Sequence, residues 1–341
     1  MILFIVITLA AVLVVSLLAP AVLKPILLRM GVIDVPNSRS LHSHPVVRGV
    51  GLAPLMAILV GYGILLIGSP DSAHWPEFIV IVSVSLAAGL LGLAEDIRGL
   101  AVVVRAGGQL AIGLVGAFAI AAYIGGSWWA AALYAVGIAG YINAANFMDG
   151  VNGISGLHGT VVGAAYGALG IIADAPWLTA AGWILAVAFA GFLPWNLMHG
   201  GMFLGDVGSY LLGGGIAIIA AAAIARGVPI VAVVGPVLIY LADTGMTLLG
   251  RVLRGERWFE AHRGHAYQRL ANLGLSHLQV ASIVTMAGVG TASLGLMVAV
   301  SPETWGVAVV LMILTATGYL SFASALGGSH RRDAARGDGS V

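Results

Sequence analysis

Long apolar stretches alternate along this chain with short polar breaks. Runs near the ~20 residues that an α-helix needs to cross a bilayer fall at approximately 1–23, 49–68, 77–94, 106–125, 128–145, 157–174, 177–195, 209–225, 228–248, 277–300 and 303–325. The pattern predicts an all-α polytopic membrane protein with about eleven transmembrane helices. The boundaries are least distinct where only Gly or Pro separates two runs, as at Gly125-Gly126-Ser127. Residues 1–325 read as a single transmembrane domain. Residues 326–341 are small and charged, and are expected to form a disordered cytoplasmic tail.

Composition agrees with the pattern. Of 341 residues, 60% are hydrophobic and 9% charged, against about 25% charged in an ordinary soluble domain. There is no cysteine, which excludes disulfides, thiolate catalysis and Cys-ligated metal. The first apolar run has no basic residue before it, and Lys24 follows it. This marks a retained helix rather than a cleaved signal peptide.

Charge sets the orientation. Lys24, Arg29, Arg39 and Arg48 follow the first run, Arg98 and Arg105 the third, and Arg251, Arg254, Arg257, Arg263 and Arg269 the ninth; Arg331, Arg332 and Arg336 lie in the tail. With about eleven spans these clusters share one side, cytoplasmic by the positive-inside rule, with the N-terminus outside and the C-terminus inside. Only Arg226 falls opposite, among turns that carry Trp75, Trp128, Trp129, Trp177 and Trp305.

The cytoplasmic side then receives every polar cluster with chemical potential. In Asn143–Gly156, Asn143, Asn146, Asp149 and Asn152 recur every three residues, which keeps them on roughly one side of a helix. Asp149 is either a site carboxylate or an Asx-turn that ends the helix. Glu95-Asp96 is either a reactive acidic pair or two solvated helix-end acids. Asp206 sits between Gly205 and Gly208, open to a phosphate or a hydrated cation, or else it caps the next helix together with Ser209. The loop with His262, Arg263 and His265 suits a pyrophosphate or merely sets orientation. The stretch Asp34–Arg48, with Asn37, Arg39, His42, His44 and Arg48, suits anion contact or forms a flexible interfacial loop. Asp243 joins the site or pairs with an Arg of the following loop. His74, His158, His199, His277 and His330 are read as incidental.

Taken in order, these motifs resemble the polyprenyl-phosphate N-acetylhexosamine-1-phosphate transferase family (MraY/WecA-like, glycosyltransferase family 4). The resemblance rests on D-x-P-N-x-R-x-x-H at Asp34–His42, the acidic pair at Glu95-Asp96, N-x-x-N-F-x-D-G at Asn143–Gly150, F-L-G-D-x-G-S at Phe203–Ser209 and the His-rich loop at His262–His265. The form of that last loop looks like the WbpL-like branch serving O-antigen and surface-glycan initiation.

The resemblance implies transfer of an N-acetylhexosamine 1-phosphate from a UDP-sugar to undecaprenyl phosphate in the bacterial inner membrane, with release of UMP. It implies Mg²⁺, with Mn²⁺ as a substitute, held by Asp206 with Asp149 or Asp96, and a catalytic set of Glu95, Asp96 and Asp149. Substrate contacts are expected from Asn37, Arg39, His42, Arg48, Asn143, Asn146, Asn152, Asp243, His262, Arg263 and His265. Membrane lipids and a second copy of the chain are further expected partners; nucleic acid is not. Two positions depart from the family's pattern: Glu95 replaces the common first Asp of the pair, and Asn152 replaces the second acid of D-G-x-D-G. A transporter or lipid flippase is the alternative reading. Such proteins usually show repeated halves and mid-membrane charges, and neither is seen here.

Overall fold

A computed structural model describes residues 2–35, 45–68, 74–125, 127–198, 201–256 and 264–337. Among the described residues the protein is all-α apart from one two-stranded ribbon. Its helices are α1 (Ile2–Arg29), α2 (Leu52–Gly68), α3 (Trp75–Arg98), α4 (Val102–Ala119), α5 (Ala131–Met148), α6 (Ile154–Ile172), α7 (Pro176–Leu197), α8 (Gly205–Ala225), α9 (Ile230–Val234), α10 (Leu238–Leu253), α11 (Ala266–Asn272), α12 (His277–Val300) and α13 (Trp305–Gly337).

Every apolar run of the sequence becomes a helix. Among the described residues ten spans are long and apolar enough to cross a membrane, and the seventeen-residue α2 accounts for the eleventh run. The ninth span, Ile230–Leu253, is one crossing in three pieces. A 3₁₀ turn at Gly235–Val237 separates α9 from α10, where Pro236 cannot donate to the helical ladder. The long polar connection after α10 contains α11, and α13 runs to Gly337.

The core is organised around α8, whose side chains are almost all buried. Its run of Gly and Ala lets α3 and α5 pack closely on either side. The remaining spans pair as α6 with α7, α4 with α5, α1 with α2 and α7, and α12 with α6 and α13. Short connections return the chain each time. The C-terminal ends of α3, α5, α7 and α10 therefore lie at the same end of the bundle as the N-terminal ends of α6, α8 and α12. At the opposite end, the isolated Arg226 has a structural partner: its Nε donates to Oε1 of fully buried Glu77 at 2.9 Å.

A ribbon sets the entrance to α8. Strand β1 (Ile33–Asp34) pairs antiparallel with β2 (Val46–Val47), Ile33 opposite Val47 and Asp34 opposite Val46. The chain before α8 runs beside the residues after β2: Phe203 N donates to Val47 O at 2.9 Å and Gly51 N to Leu204 O at 2.8 Å. This ladder brings Arg48 alongside the first turn of α8.

A carboxylate cluster at the convergent helix ends

Four side chains from four parts of the chain meet at the start of α8. Asp96, near the end of α3, has a fully buried side chain. Its Oδ1 accepts from Asp206 N at 3.0 Å and its Oδ2 from Val207 N at 2.9 Å. These are amides that the first turn of a helix leaves without intrahelical partners. Arg48 Nε donates to the same Oδ1 at 2.5 Å, and its Nη2 lies 3.4 Å from Asp206 Oδ2. Asn146, in the last turn of α5, donates through Nδ2 to Asp206 Oδ1 at 2.6 Å and lies 3.1 Å from Ser209 Oγ. Asp96 thus caps α8 from another helix, and both of its oxygens meet protein donors.

Asp206 is different. Its side chain is 20% exposed and its partners are a neutral amide and one guanidinium at the edge of contact range. Asp149, just past α5, faces the same cluster. Burial pushes its carboxyl up to about 7, a hydrogen bond from Ser155 opposes the shift, and the nearby charges of Asp206 and Asp96 add to it. The glycines beside Asp206 allow close packing. A Cβ at Gly205 would lie 2.7 Å from Asp96 Oδ2, and one at Gly208 would lie 2.9 Å from Gly51 Cα.

Glu95 points away from its neighbour. Its Oε2 accepts from Leu100 N at 2.5 Å and its Oε1 pairs with Arg105 Nη1 at 3.2 Å, bracing the turn between α3 and α4. Asn143 donates to buried Gln109 of α4. Asn152 is held through its backbone, its N–H donating to His277 Nδ1 at 3.2 Å.

Two of the expected substrate contacts, Asp243 and His265, are buried. Asp243 is fully buried and its oxygens are occupied by donors from α11 and α13. His265 is 2% exposed, with Nδ1 3.4 Å from Asp243 Oδ1. A buried residue already surrounded by protein donors offers a ligand no open face. Asn37, Arg39, His42, His262 and Arg263 lie outside the described residues.

The donor set suits a hard cation. Asp206 and Asp149 supply carboxylate oxygen, and among the described residues no group of three or more His, Asp or Glu converges as a closed metal cage. Mg²⁺ is commonly bound in this way, through one or two carboxylates with water and substrate phosphates completing the octahedron.

Several participants were not legible as site residues. Gln109, Arg105, Ser155 and Tyr267 were not singled out, and the partners of Gln109 and Tyr267 lie 34 and 120 positions away. His158 and His277, read as incidental, are both engaged: His158 Nε2 lies 2.7 Å from Tyr141 Oη and its ring stacks on Tyr240 at 3.5 Å.

Residues 78–224 match the family described as glycosyl transferase family 4. The chain is 24% identical over 296 residues to the probable undecaprenyl-phosphate N-acetylglucosaminyl 1-phosphate transferase of Bacillus subtilis (strain 168), covering 81% of this chain and 80% of that protein. It is 27% identical over 295 residues to the undecaprenyl-phosphate alpha-N-acetylglucosaminyl 1-phosphate transferase of Escherichia coli (strain K12), covering 79% and 77%. Similarity to the decaprenyl-phosphate N-acetylglucosaminephosphotransferase of Mycobacterium tuberculosis (strain CDC 1551 / Oshkosh) is 24% over 307 residues, covering 75% and 73%.

Proposed function

We propose that this chain, a member of the polyprenyl-phosphate N-acetylhexosamine-1-phosphate transferase family, transfers N-acetylglucosamine 1-phosphate from its UDP-sugar to undecaprenyl phosphate in the bacterial inner membrane. The observation that carries this reading is the meeting of Asp206, Asn146, Asp96 and Arg48, with Asp149 beside them, at one end of a membrane bundle. The activities of the Bacillus subtilis and Escherichia coli relatives, as their names give them, support the lipid acceptor and the sugar. The basic clusters at that end support a cytoplasmic site, where a nucleotide sugar is available. The form of the loop at His262–His265 supports initiation of O-antigen or another surface glycan.

Both substrates are anionic phosphates, so the site has to offset charge and align them. A lipid phosphate oxygen attacks the phosphorus nearest the sugar; the new P–O bond forms as the bond to UMP breaks, and UMP leaves with the electron pair. Asp206 with Asp149 would hold Mg²⁺, whose charge would offset the repulsion between the substrates and the charge developing on UMP. Asp96 and Arg48 keep Asp206 in place from behind. Of the acids, Glu95 and Asp96 are committed to internal partners. Burial pushes Asp149 up to about 7 before a cation binds, and a bound cation would favour its ionised form.

The test is UMP release by the purified protein in detergent, with UDP-N-acetylglucosamine, undecaprenyl phosphate and Mg²⁺. Release dependent on all three is expected. No release with any member of a panel of UDP-N-acetyl sugars would overturn the reading and favour transport.

A further inference from the structure

Asp243 lies on α10, away from the Asp206 cluster, yet it collects an unusual number of donors for a buried acid. Its Oδ1 accepts from Ala266 N at 2.8 Å, and its Oδ2 accepts from Tyr319 Oη of α13 at 2.7 Å and from Tyr267 N at 3.3 Å. His265 Nδ1 approaches Oδ1 to 3.4 Å. A buried carboxylate persists only when so paired, and here the pairing fixes the first turn of α11 against α10 and α13.

That first turn reaches the catalytic end of α5. Tyr267 is buried, and its hydroxyl donates to Phe147 O at 2.9 Å. The same hydroxyl occupies the space beside Gly150, where any Cβ would collide with it. His265 sits between the rings of Phe147 and Tyr267, 5.9 Å from each. The far flank of Asp149 is held from α10 as well. Tyr240, one helical turn before Asp243, donates through its hydroxyl to Ile154 O at 3.2 Å and stacks on His158. The backbone before Asp149 and the backbone after it are thus both anchored to α10, one through α11 and one directly.

On the reading that Asp149 acts in phosphoryl transfer, we propose that Asp243 is a positioning residue for Asp149, acting through the Tyr267 hydroxyl that holds Phe147 and Gly150. A carboxylate on a short Gly-containing connection has little of its own to set its direction. Displacement of a reacting group by an ångström is enough to cost a large part of the rate.

The test uses the full-length protein in detergent and three variants: Tyr267→Phe, Asp243→Asn and the double variant. Tyr267→Phe removes one hydroxyl and keeps the ring, so it preserves the fold even if Asp243→Asn does not. Hydrogen–deuterium exchange of residues 147–154 is expected to rise about tenfold in Tyr267→Phe. UMP release is expected to lose about tenfold in kcat, with KM for UDP-N-acetylglucosamine within about twofold. If Asp243 acts through Tyr267, the double variant is no slower than the slower single variant. Multiplying effects in the double variant, or unchanged exchange at 147–154 in Tyr267→Phe, would overturn the proposal. The exchange arm needs no turnover. A wild-type protein that releases no UMP therefore defeats the functional reading while leaving the clamp to be judged by exchange.

Discussion

The Asp96 carboxylate accepts the backbone amides of Asp206 and Val207, so the acid at the end of α3 caps the helix in whose first turn the other acid lies. Two carboxylates of the same cluster therefore have different work. Asp96 holds the backbone with a fully buried side chain, while the Asp206 side chain is 20% exposed.

Asp96→Ala leaves Arg48 and two amides of a buried turn without their partner. Breaking a buried pair of this kind costs about 3–5 kcal/mol, so thermal unfolding in detergent should move to a clearly lower temperature and activity should be lost with it. An unchanged melting profile would contradict the capping role.

Asp206→Ala removes only the Asn146 and Arg48 side-chain contacts. The expected outcome is a loss of about 10²–10³ in kcat with the melting temperature nearly preserved. Mg²⁺ titration of UMP release is the measurement, and chelation of the metal should abolish the wild-type rate. A variant that keeps its Mg²⁺ dependence at full rate would remove Asp206 from the metal site.

Burial pushes Asp149 up to about 7, so the carboxyl is mostly protonated below that pH and mostly ionised above it. Activity that needs the ionised form should climb between about pH 6 and 8, and Asp149→Asn should abolish that limb along with most of the rate. More Mg²⁺ should move the limb to lower pH, because a nearby cation favours the charged carboxylate. A limb insensitive to Mg²⁺ would separate Asp149 from the metal.

Glu95→Gln keeps an oxygen for the Leu100 amide and loses only the charge that faces Arg105. A brace of this kind predicts kcat within about tenfold of wild type, since a partly exposed ion pair contributes modestly. A loss of a thousandfold would instead make Glu95 the base.

The fold was readable from hydrophobicity because crossing a bilayer imposes a length and a composition on each helix. The eleven runs and the convergence of polar segments at one end follow from that constraint and from the short returns. The site was readable in part. Asn146 and Asp206 stand out as polar residues at helix ends, and Gly-rich surroundings mark their stretches. The capping by Asp96 left no trace in the sequence, because its partners are backbone amides 110 and 111 positions away. The burial of Asp243 and His265 was hidden for a related reason. Residue type announces that an acid and an imidazole are present, while their burial depends on where α11 and α13 come to rest.

By itself, the sequence determined the class of protein, the number of crossings and the short list of acids, since each is a local or compositional property. Only the tertiary structure decided the division of labour among those acids. Asp96 meets the first amides of α8, Glu95 the Leu100 amide and Arg105, Asp243 donors from α11 and α13, and Asp206 the Asn146 amide and Arg48. That division is set by which backbone amides and guanidinium groups each carboxylate meets. Those meetings are made by packing between helices far apart in the chain, and no local pattern encodes them.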